Sequence, residues 1–108
     1  MVERLDRPTF VVGTGRCGTH FLEALMRDNR EVAASHTDTG SPVADSFVRY
    51  CIWNKIEIDL AAFREHREAL IRRATEAGQV YFESNAYLSL LVRELGYWYN
   101  AKFILLVR

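Results

Sequence analysis

The chain has 108 residues, and its 14 lysines and arginines balance its 14 aspartates and glutamates, so its formal net charge is zero. This balance excludes the strongly basic surface of a nucleic-acid-binding protein, and no apolar run approaches the roughly 20 residues that a membrane-spanning helix needs. The two cysteines, Cys17 and Cys51, have the spacing of neither a metal site nor a disulfide framework. We therefore expect a soluble protein of the reducing cytoplasm.

The first half of the chain alternates short apolar runs with amphipathic stretches, which predicts strands and helices in turn. Strand one is predicted over Thr9 to Val12, and the next helix runs from Gly18 to about Asn29. A short second strand lies near Glu31 to Ser35. The polar segment from His36 to Pro42 is predicted to be a loop, and Val43 to Trp53 a helix.

A long helix is predicted in the middle of the chain, capped by Asp59 and ending at Gly78. The charged run from Arg64 to Arg73 is interpreted as its solvated face, with His66 at the edge of the core. The residues expected to form its buried face share a helical spacing: Phe63, Leu70, Ile71 and Ala74.

The last third of the chain is predicted to hold two more strands, over Gln79 to Glu83 and Lys102 to Val107. Between them, Ala86 to Leu95 is a helix closed by Gly96, and the aromatic run Tyr97 to Tyr99 is expected to pack over the sheet edge.

Strands that alternate with helices indicate a parallel sheet, so we expect one α/β domain over residues 1–108. A buried parallel strand at the C-terminus is unusual, because such sheets normally continue through another helix and strand. We expect these residues to be the N-terminal part of a longer protein, with a sheet that is incomplete at its C-terminal end and leaves apolar surface of strand four without cover.

The glycine-rich segment after strand one reads Gly13-Thr14-Gly15-Arg16-Cys17-Gly18-Thr19-His20. Its three glycines allow a sharp turn close to a ligand, and the free N–H groups of the following helix point at an anion. Arg16 adds a permanent forked charge suited to phosphate or sulfate oxygens. The segment therefore predicts a site for a phosphorylated small molecule.

Two familiar phosphate-binding loops match this sequence in part. Gly13 and Gly18 have the separation of a Walker loop, but Thr19 and His20 stand where lysine and a hydroxyl residue are required. The glycines also fit the G-x-G-x-x-G fingerprint of dinucleotide-binding folds, and Asp38 lies about 20 residues further on, where the ribose-binding acid is expected. The interpretation of this segment as a dinucleotide-binding fingerprint stays open.

A third form, G-x-x-R-x-G-T, resembles the phosphosulfate-binding loop of sulfotransferases that use 3′-phosphoadenosine 5′-phosphosulfate. The family text is close to Pro-Arg/Lys-Ser-Gly-Thr-Thr, and this chain departs from it at Gly15, Cys17 and His20. Two further segments resemble the same family over nearly the whole chain. Lys102 to Arg108 looks like the later strand that ends in a 3′-phosphate-binding arginine, and Tyr81 to Tyr87 looks like the strand that brings catalytic residues to the active-site edge.

This resemblance implies a P-loop nucleoside triphosphate hydrolase-like three-layer sandwich and the transfer of a sulfuryl group from 3′-phosphoadenosine 5′-phosphosulfate to a hydroxyl or amine acceptor. The family uses no metal. Arg16 would bind the phosphosulfate oxygens and Arg108 the 3′-phosphate. The residues implied in donor binding are those of the loop and the last strand: Gly13, Thr14, Gly15, Arg16, Cys17, Gly18, Thr19, His20 and Arg108.

The acceptor's proton needs a base, which the family supplies as a glutamate or a histidine. His36 follows strand two and has an ordinary pKa near 6.5. Glu83 closes strand three and could accept a proton if partial burial raised its pKa. Both stay open as catalytic candidates beside Arg16, and Asn85 is expected to position a substrate or to cap the next helix.

Two other classes of function stay open. A nicotinamide-dependent oxidoreductase would use Asp38 on a ribose and would not need Arg16. A non-catalytic nucleotide-binding module would bind the donor's bisphosphate product without transferring a sulfuryl group. The sequence does not define the acceptor or the oligomeric state.

Overall fold

The computed structural model describes residues 7–13, 19–36 and 42–106. The strands in these ranges are β1 (Thr9–Gly13), β2 (Val32–His36), β3 (Val80–Ser84) and β4 (Lys102–Leu106). The helices are α1 (Thr19–Met26), α2 (Asp45–Trp53), α3 (Ala61–Glu76), a 3₁₀ helix (Ala86–Leu91) and α4 (Val92–Tyr99). None of these helices is long and apolar enough to cross a membrane.

The four strands form one parallel sheet in the order β2-β3-β1-β4. Parallel neighbours cannot be joined by a hairpin, so each connection crosses over through at least one helix. The prediction of an α/β domain with a parallel sheet flanked by helices is confirmed, and each predicted strand lies within about one residue of its observed bounds.

The main core lies between one face of the sheet and helices α2, α3 and α4. Phe10, Val12 and Tyr81 point to this face from β1 and β3. The helical side chains that pack on them are all buried: Val48, Phe63, Ile71, Ala74, Leu88, Leu91, Leu95 and Tyr99. Strand residues alternate between faces, so Val11 and Phe82 are buried on the opposite face, where α1 contacts β1, β2 and β3. Helices therefore cover both faces.

Helix α3 begins and ends close to where its capping residues predict. The Asp59 carboxylate accepts a hydrogen bond from the Ala61 N–H at 2.9 Å. Gly78 follows the helix with a φ of +72°, a left-handed conformation that glycine adopts without steric cost. His66 is half-buried at the edge of the core, as expected.

The segment after β3 differs from the prediction of one helix closed by Gly96. A 3₁₀ helix comes first, and α4 then runs through Gly96 to end at Asn100, which adopts the left-handed conformation with φ 53° and ψ 40°. The extra turn buries Tyr99, whose hydroxyl donates to the Arg64 carbonyl at 2.7 Å. Burial of an aromatic side chain is worth about 2 kcal/mol and outweighs the roughly 1 kcal/mol that a helical glycine costs.

The aromatic run at the end of α4 does not pack as a unit. Tyr99 is buried and Trp98 is half-buried near the Phe63 ring, but Tyr97 is 88% exposed. The prediction for Tyr97 is wrong, because successive helical residues point in different directions and only part of the run can face the core. Ile104 and Leu105 of β4 are exposed apolar residues.

Candidate functional site

Gly13 and His36, two of the residues predicted to bind or react, lie at the carboxyl edge of the sheet. Gly13 ends β1 and pairs with Leu106 of β4, while His36 ends β2 and pairs with Ser84 of β3. Arg108 lies two residues beyond β4. Ligands of open α/β sheets bind outside the carboxyl ends of the strands, so this edge is the candidate functional site.

Part of this site lies outside the described residues, namely Thr14, Gly15, Arg16, Cys17, Gly18 and Arg108. The backbone on either side of the glycine loop is described. β1 ends at Gly13 and α1 begins at Thr19, with His20 in its first turn. Strand and helix are thus joined by a connection of only five residues, so the helix N-terminus lies close to the end of the strand. The loop sequence predicts this order of strand, short turn and helix.

The chain leaves β1 and β3 toward opposite faces of the sheet. β1 continues to α1 on one face, and β3 continues to the 3₁₀ helix and α4 on the other. Because β1 and β3 are neighbours, their connections diverge, and in doubly wound sheets the crevice at such a point is where the ligand binds. The Asn85 segment lies on one side of this point, and Gly13, the last described residue before the glycine loop, ends β1 beside it.

Hydrogen bonds hold the end of β1 against the segment that follows β3. The Ser89 hydroxyl accepts from the Gly13 N–H at 3.0 Å and lies 2.7 Å from the carbonyl oxygens of Gly13 and Ala86. The Asn85 N–H donates to the Val11 carbonyl at 2.9 Å. The start of the glycine loop is therefore anchored to the first turns of the 3₁₀ helix.

A buried ion pair lies directly beneath this edge. Arg67 of α3 donates two hydrogen bonds to the Glu83 carboxylate, from Nε to Oε1 and from Nη2 to Oε2, each 2.8 Å long. Both side chains are fully buried. The Tyr81 hydroxyl also donates to Oε1 at 2.7 Å, and the Asn85 amide donates to Oε2 at 2.9 Å. Each carboxylate oxygen of Glu83 thus accepts two hydrogen bonds.

Asp45, the first residue of α2, is the second carboxylate of this cluster. Its Oδ2 accepts from Arg67 Nη2 and from Asn85 Nδ2, both at 2.9 Å. Its Oδ1 is buried without a hydrogen-bond partner among the described residues. Two carboxylates therefore share one guanidinium, and hydrogen bonds from neutral donors supply the rest of their stabilisation.

The cluster changes the acidity of its own members. Burial alone would lower the pKa of Arg67, but the hydrogen bonds and charge of Glu83, with the charge of Asp45, raise it above the ordinary value. Burial raises the pKa of the Tyr81 hydroxyl well above its ordinary value, and the Glu83 carboxylate raises it further. Arg67 stays charged and Tyr81 stays neutral at physiological pH.

The structure places the two base candidates in different settings. Glu83 is fully buried, and both of its carboxylate oxygens accept hydrogen bonds. These contacts hold α3 and Asn85 in place. His36 ends β2 at the ligand edge, in register with Ser84. The catalytic roles of both stay predictions. The expected capping role of Asn85 is confirmed, because its Oδ1 accepts from the Tyr87 N–H at 3.0 Å.

Sequence reasoning missed Arg67 and Asp45. The interpretation of the run from Arg64 to Arg73 as a solvated face is wrong for Arg67, which has no exposed surface. A signal was present, because Arg67 lies four residues after Phe63 and four before Ile71, on the buried stripe of α3. A charge on an apolar stripe requires a buried partner, and Glu83 is that partner.

Comparisons with known proteins give no match. No family model matches the chain, and no curated protein and no solved structure matches it. The functional interpretation rests on the chain's own residues and on the resemblance of its three motifs.

Proposed function

We propose that this protein is a sulfotransferase that binds 3′-phosphoadenosine 5′-phosphosulfate at the carboxyl edge of its sheet, with a P-loop-like cradle formed by residues 13–19. The observation that carries the proposal is the five-residue connection between Gly13 and Thr19, at the point where the connections of β1 and β3 diverge. A connection this short, rich in glycine and carrying Arg16, brings backbone donors and a guanidinium to one anion.

The order of the strands weighs against the dinucleotide alternative. In the dinucleotide-binding fold β2 lies next to β1, and the acid after β2 reaches the ribose of a cofactor held at the first glycine turn. Here β3 lies between β1 and β2. The end of β2, two residues before Asp38, is therefore about 10 Å from the end of β1, two strand spacings away.

The proposed reaction balances as a transfer between two oxygens, or from oxygen to nitrogen. The bond from sulfur to the phosphate oxygen breaks, a bond from sulfur to the acceptor atom forms, and the acceptor's proton passes to a base. Arg16 and the amides at the start of α1 bind the phosphate on which negative charge accumulates. Arg108 binds the 3′-phosphate.

We infer that His36 rather than Glu83 is the proton acceptor. The backbone of His36 ends β2 at the carboxyl edge, and imidazole is the side chain best suited to proton abstraction at neutral pH. Glu83 supports the proposal in another way, because with Arg67 it fixes Asn85. We assign Glu83 to positioning and His36 to proton transfer.

Calorimetric titration with three nucleotides tests the proposal. Adenosine 3′,5′-bisphosphate should bind at least about tenfold more tightly than adenosine 5′-monophosphate, because one more phosphate is held by a guanidinium. Arg108→Ala should remove that preference, and Arg93→Ala, a change at an exposed arginine of α4, should keep it. Tight binding of NAD with weak binding of the bisphosphate would overturn the proposal in favour of the oxidoreductase.

A transfer assay separates an enzyme from a non-catalytic module. Labelled donor is incubated with a mixture of phenols, sugars and amines, and sulfated products are counted. An enzyme forms a labelled product with at least one acceptor and loses it in His36→Gln, whereas a module binds the bisphosphate and labels nothing.

A further inference from the structure

A groove on the surface of α2 is lined by three exposed aromatic side chains. The α2 groove, as we name it, has a volume of about 330 Å³ and lies between α2 and the start of the 3₁₀ helix. The spacing of its α2 residues puts them on one helical face. Its lining residues are Ser46, Arg49, Tyr50, Trp53, Asn54 and Tyr87.

The aromatic rings of this groove are unusually open to solvent. Trp53 is 70% exposed and Tyr50 57%, and Tyr87 faces them from the 3₁₀ helix. Aromatic side chains that are exposed together in a concave surface are typical of a ligand-binding site. Flat rings with a polar edge suit ligands that combine an apolar face with hydroxyl groups.

Arg49, which is positive, is the only charged side chain among the described residues that line the groove. The Arg49 guanidinium carbon lies 5.8 Å from the centre of the Tyr87 ring, and no carboxylate is among the described residues that line the groove. The hydroxyl of Ser46 can also donate, and so can the second N–H of the Asn54 amide, whose first N–H bonds to the Tyr50 carbonyl at 2.8 Å. The lining therefore complements a ligand with a negative charge.

Hydrogen bonds and short chain segments connect the groove to the candidate functional site. Its first residue, Ser46, follows Asp45 of the buried cluster, and the Tyr87 N–H bonds to Asn85 of the same cluster. Ser89, which holds Gly13, comes two residues after Tyr87, about 4 Å along a 3₁₀ helix. Ser46 and Tyr87 therefore link one end of the groove to the carboxyl edge of the sheet.

We propose that the α2 groove binds the acceptor of the sulfuryl group, and that this acceptor is a hydroxylated ring compound carrying an anionic group. This inference rests on the proposed function. The ring face stacks on Trp53 and Tyr50, and Arg49 binds the anion. Acidic sugars and aromatic hydroxy acids share this chemistry.

Proton–nitrogen NMR titration locates the binding, because the chain has two tryptophans and each gives one indole N–H signal. The probes are methyl glucuronide and 4-hydroxybenzoate, with methyl glucoside and phenol as their neutral counterparts. We expect at least one anionic probe to shift the Trp53 signal and to leave the signal of the half-buried Trp98 in place. The responding probe identifies the source of the ligand as sugar or aromatic acid.

Variants of the groove test the assignment of each contact. Arg49→Gln should weaken the anionic probe about tenfold, the loss of one charge-assisted hydrogen bond, and should leave neutral probes nearly unchanged. Trp53→Ala, which lacks the reporting signal, should weaken both kinds of probe in calorimetry. Arg93→Gln and Tyr97→Ala, which remove an exposed charge and an exposed ring from α4, are matched controls that should bind as the wild type does.

The inference is overturned if no probe shifts the Trp53 signal, or if Arg49→Gln binds the anionic probe as tightly as the wild type. Bisphosphate binding to the same samples separates this failure from failure of the proposed function. Bisphosphate binding without groove binding overturns the acceptor inference alone. Groove binding without bisphosphate binding keeps the groove as a site for anionic rings and overturns its role in sulfuryl transfer.

Discussion

Replacement of Arg67 by methionine removes the only cation of the buried cluster among the described residues. Methionine keeps an unbranched apolar stem against the Phe63 ring, whose centre lies 4.5 Å from the guanidinium carbon. The change deletes two hydrogen bonds to Glu83 and one to Asp45 and leaves both carboxylates buried. Glu83 then keeps only the neutral donors Tyr81 and Asn85.

The expected cost of this change is large for a small domain. Breaking a buried ion pair by removal of one partner costs about 3–5 kcal/mol, against a total stability of roughly 5–15 kcal/mol. The melting temperature should fall by at least about 12 °C, since 1 kcal/mol corresponds to about 4 °C at this size. Arg67→Lys should lose less, because lysine keeps the charge without the bidentate fork.

Urea unfolding followed by circular dichroism and by tryptophan fluorescence measures this cost, provided that the two transitions coincide. Arg72→Met is the matched control, because Arg72 lies on the same helix in a partly exposed pair with Glu68 and its replacement should cost at most about 1 kcal/mol. In a double-mutant cycle, Arg67→Met and Glu83→Gln together should cost at least about 2 kcal/mol less than the sum of the single changes. Equal losses for Arg67→Met and Arg72→Met would refute the reasoning.

Two further predictions concern groups that contact the cluster or the loop. Above a pH of about 10 the unfolded chain releases the Tyr81 proton and the native state keeps it, because the native pKa is raised, so stability should fall with rising pH by up to about 1.4 kcal/mol per unit. Tyr81→Phe should show a shallower decline in urea midpoints measured between pH 9 and 11.5, and a slope equal to that of the wild type or of Tyr97→Phe would contradict this origin. Ser89→Ala removes the hydroxyl that holds Gly13 and should cost about 1 kcal/mol of stability. It should also weaken adenosine 3′,5′-bisphosphate binding in calorimetry, and unchanged affinity would show that this anchor does not position the loop.

Much of the fold could be predicted because its signals are local. β1 and β3 are short apolar runs bounded by glycine or helix-capping residues, and α3 has both a capping aspartate and a following glycine. Alternation of such elements implies a parallel sheet. The carboxyl edge then follows, because parallel strands all end on the same side.

The features that could not be predicted depend on tertiary partners. The spacing of Arg67 from Phe63 and Ile71 could indicate its burial, but its partners Glu83 and Asp45 come from β3 and α2 and cannot be identified from α3 alone. The end of α4 depends on the burial of Tyr99, which local propensity does not register. The strand order likewise depends on packing, since β2 could lie beside β1 or, as observed, beside β3.

The central claim is that Arg16 binds the phosphosulfate group of the donor, and calorimetry of adenosine 3′,5′-bisphosphate with Arg16→Ala tests it most directly. The product shares the donor's 5′-phosphate, which a guanidinium can bind through two hydrogen bonds. We predict that the wild type binds it and that Arg16→Ala weakens it by about 100-fold, or about 3 kcal/mol. Arg30→Ala, at an exposed arginine after α1, should bind as the wild type does. Equal affinity of Arg16→Ala and wild type, or tighter binding of NAD than of the bisphosphate, would contradict the claim.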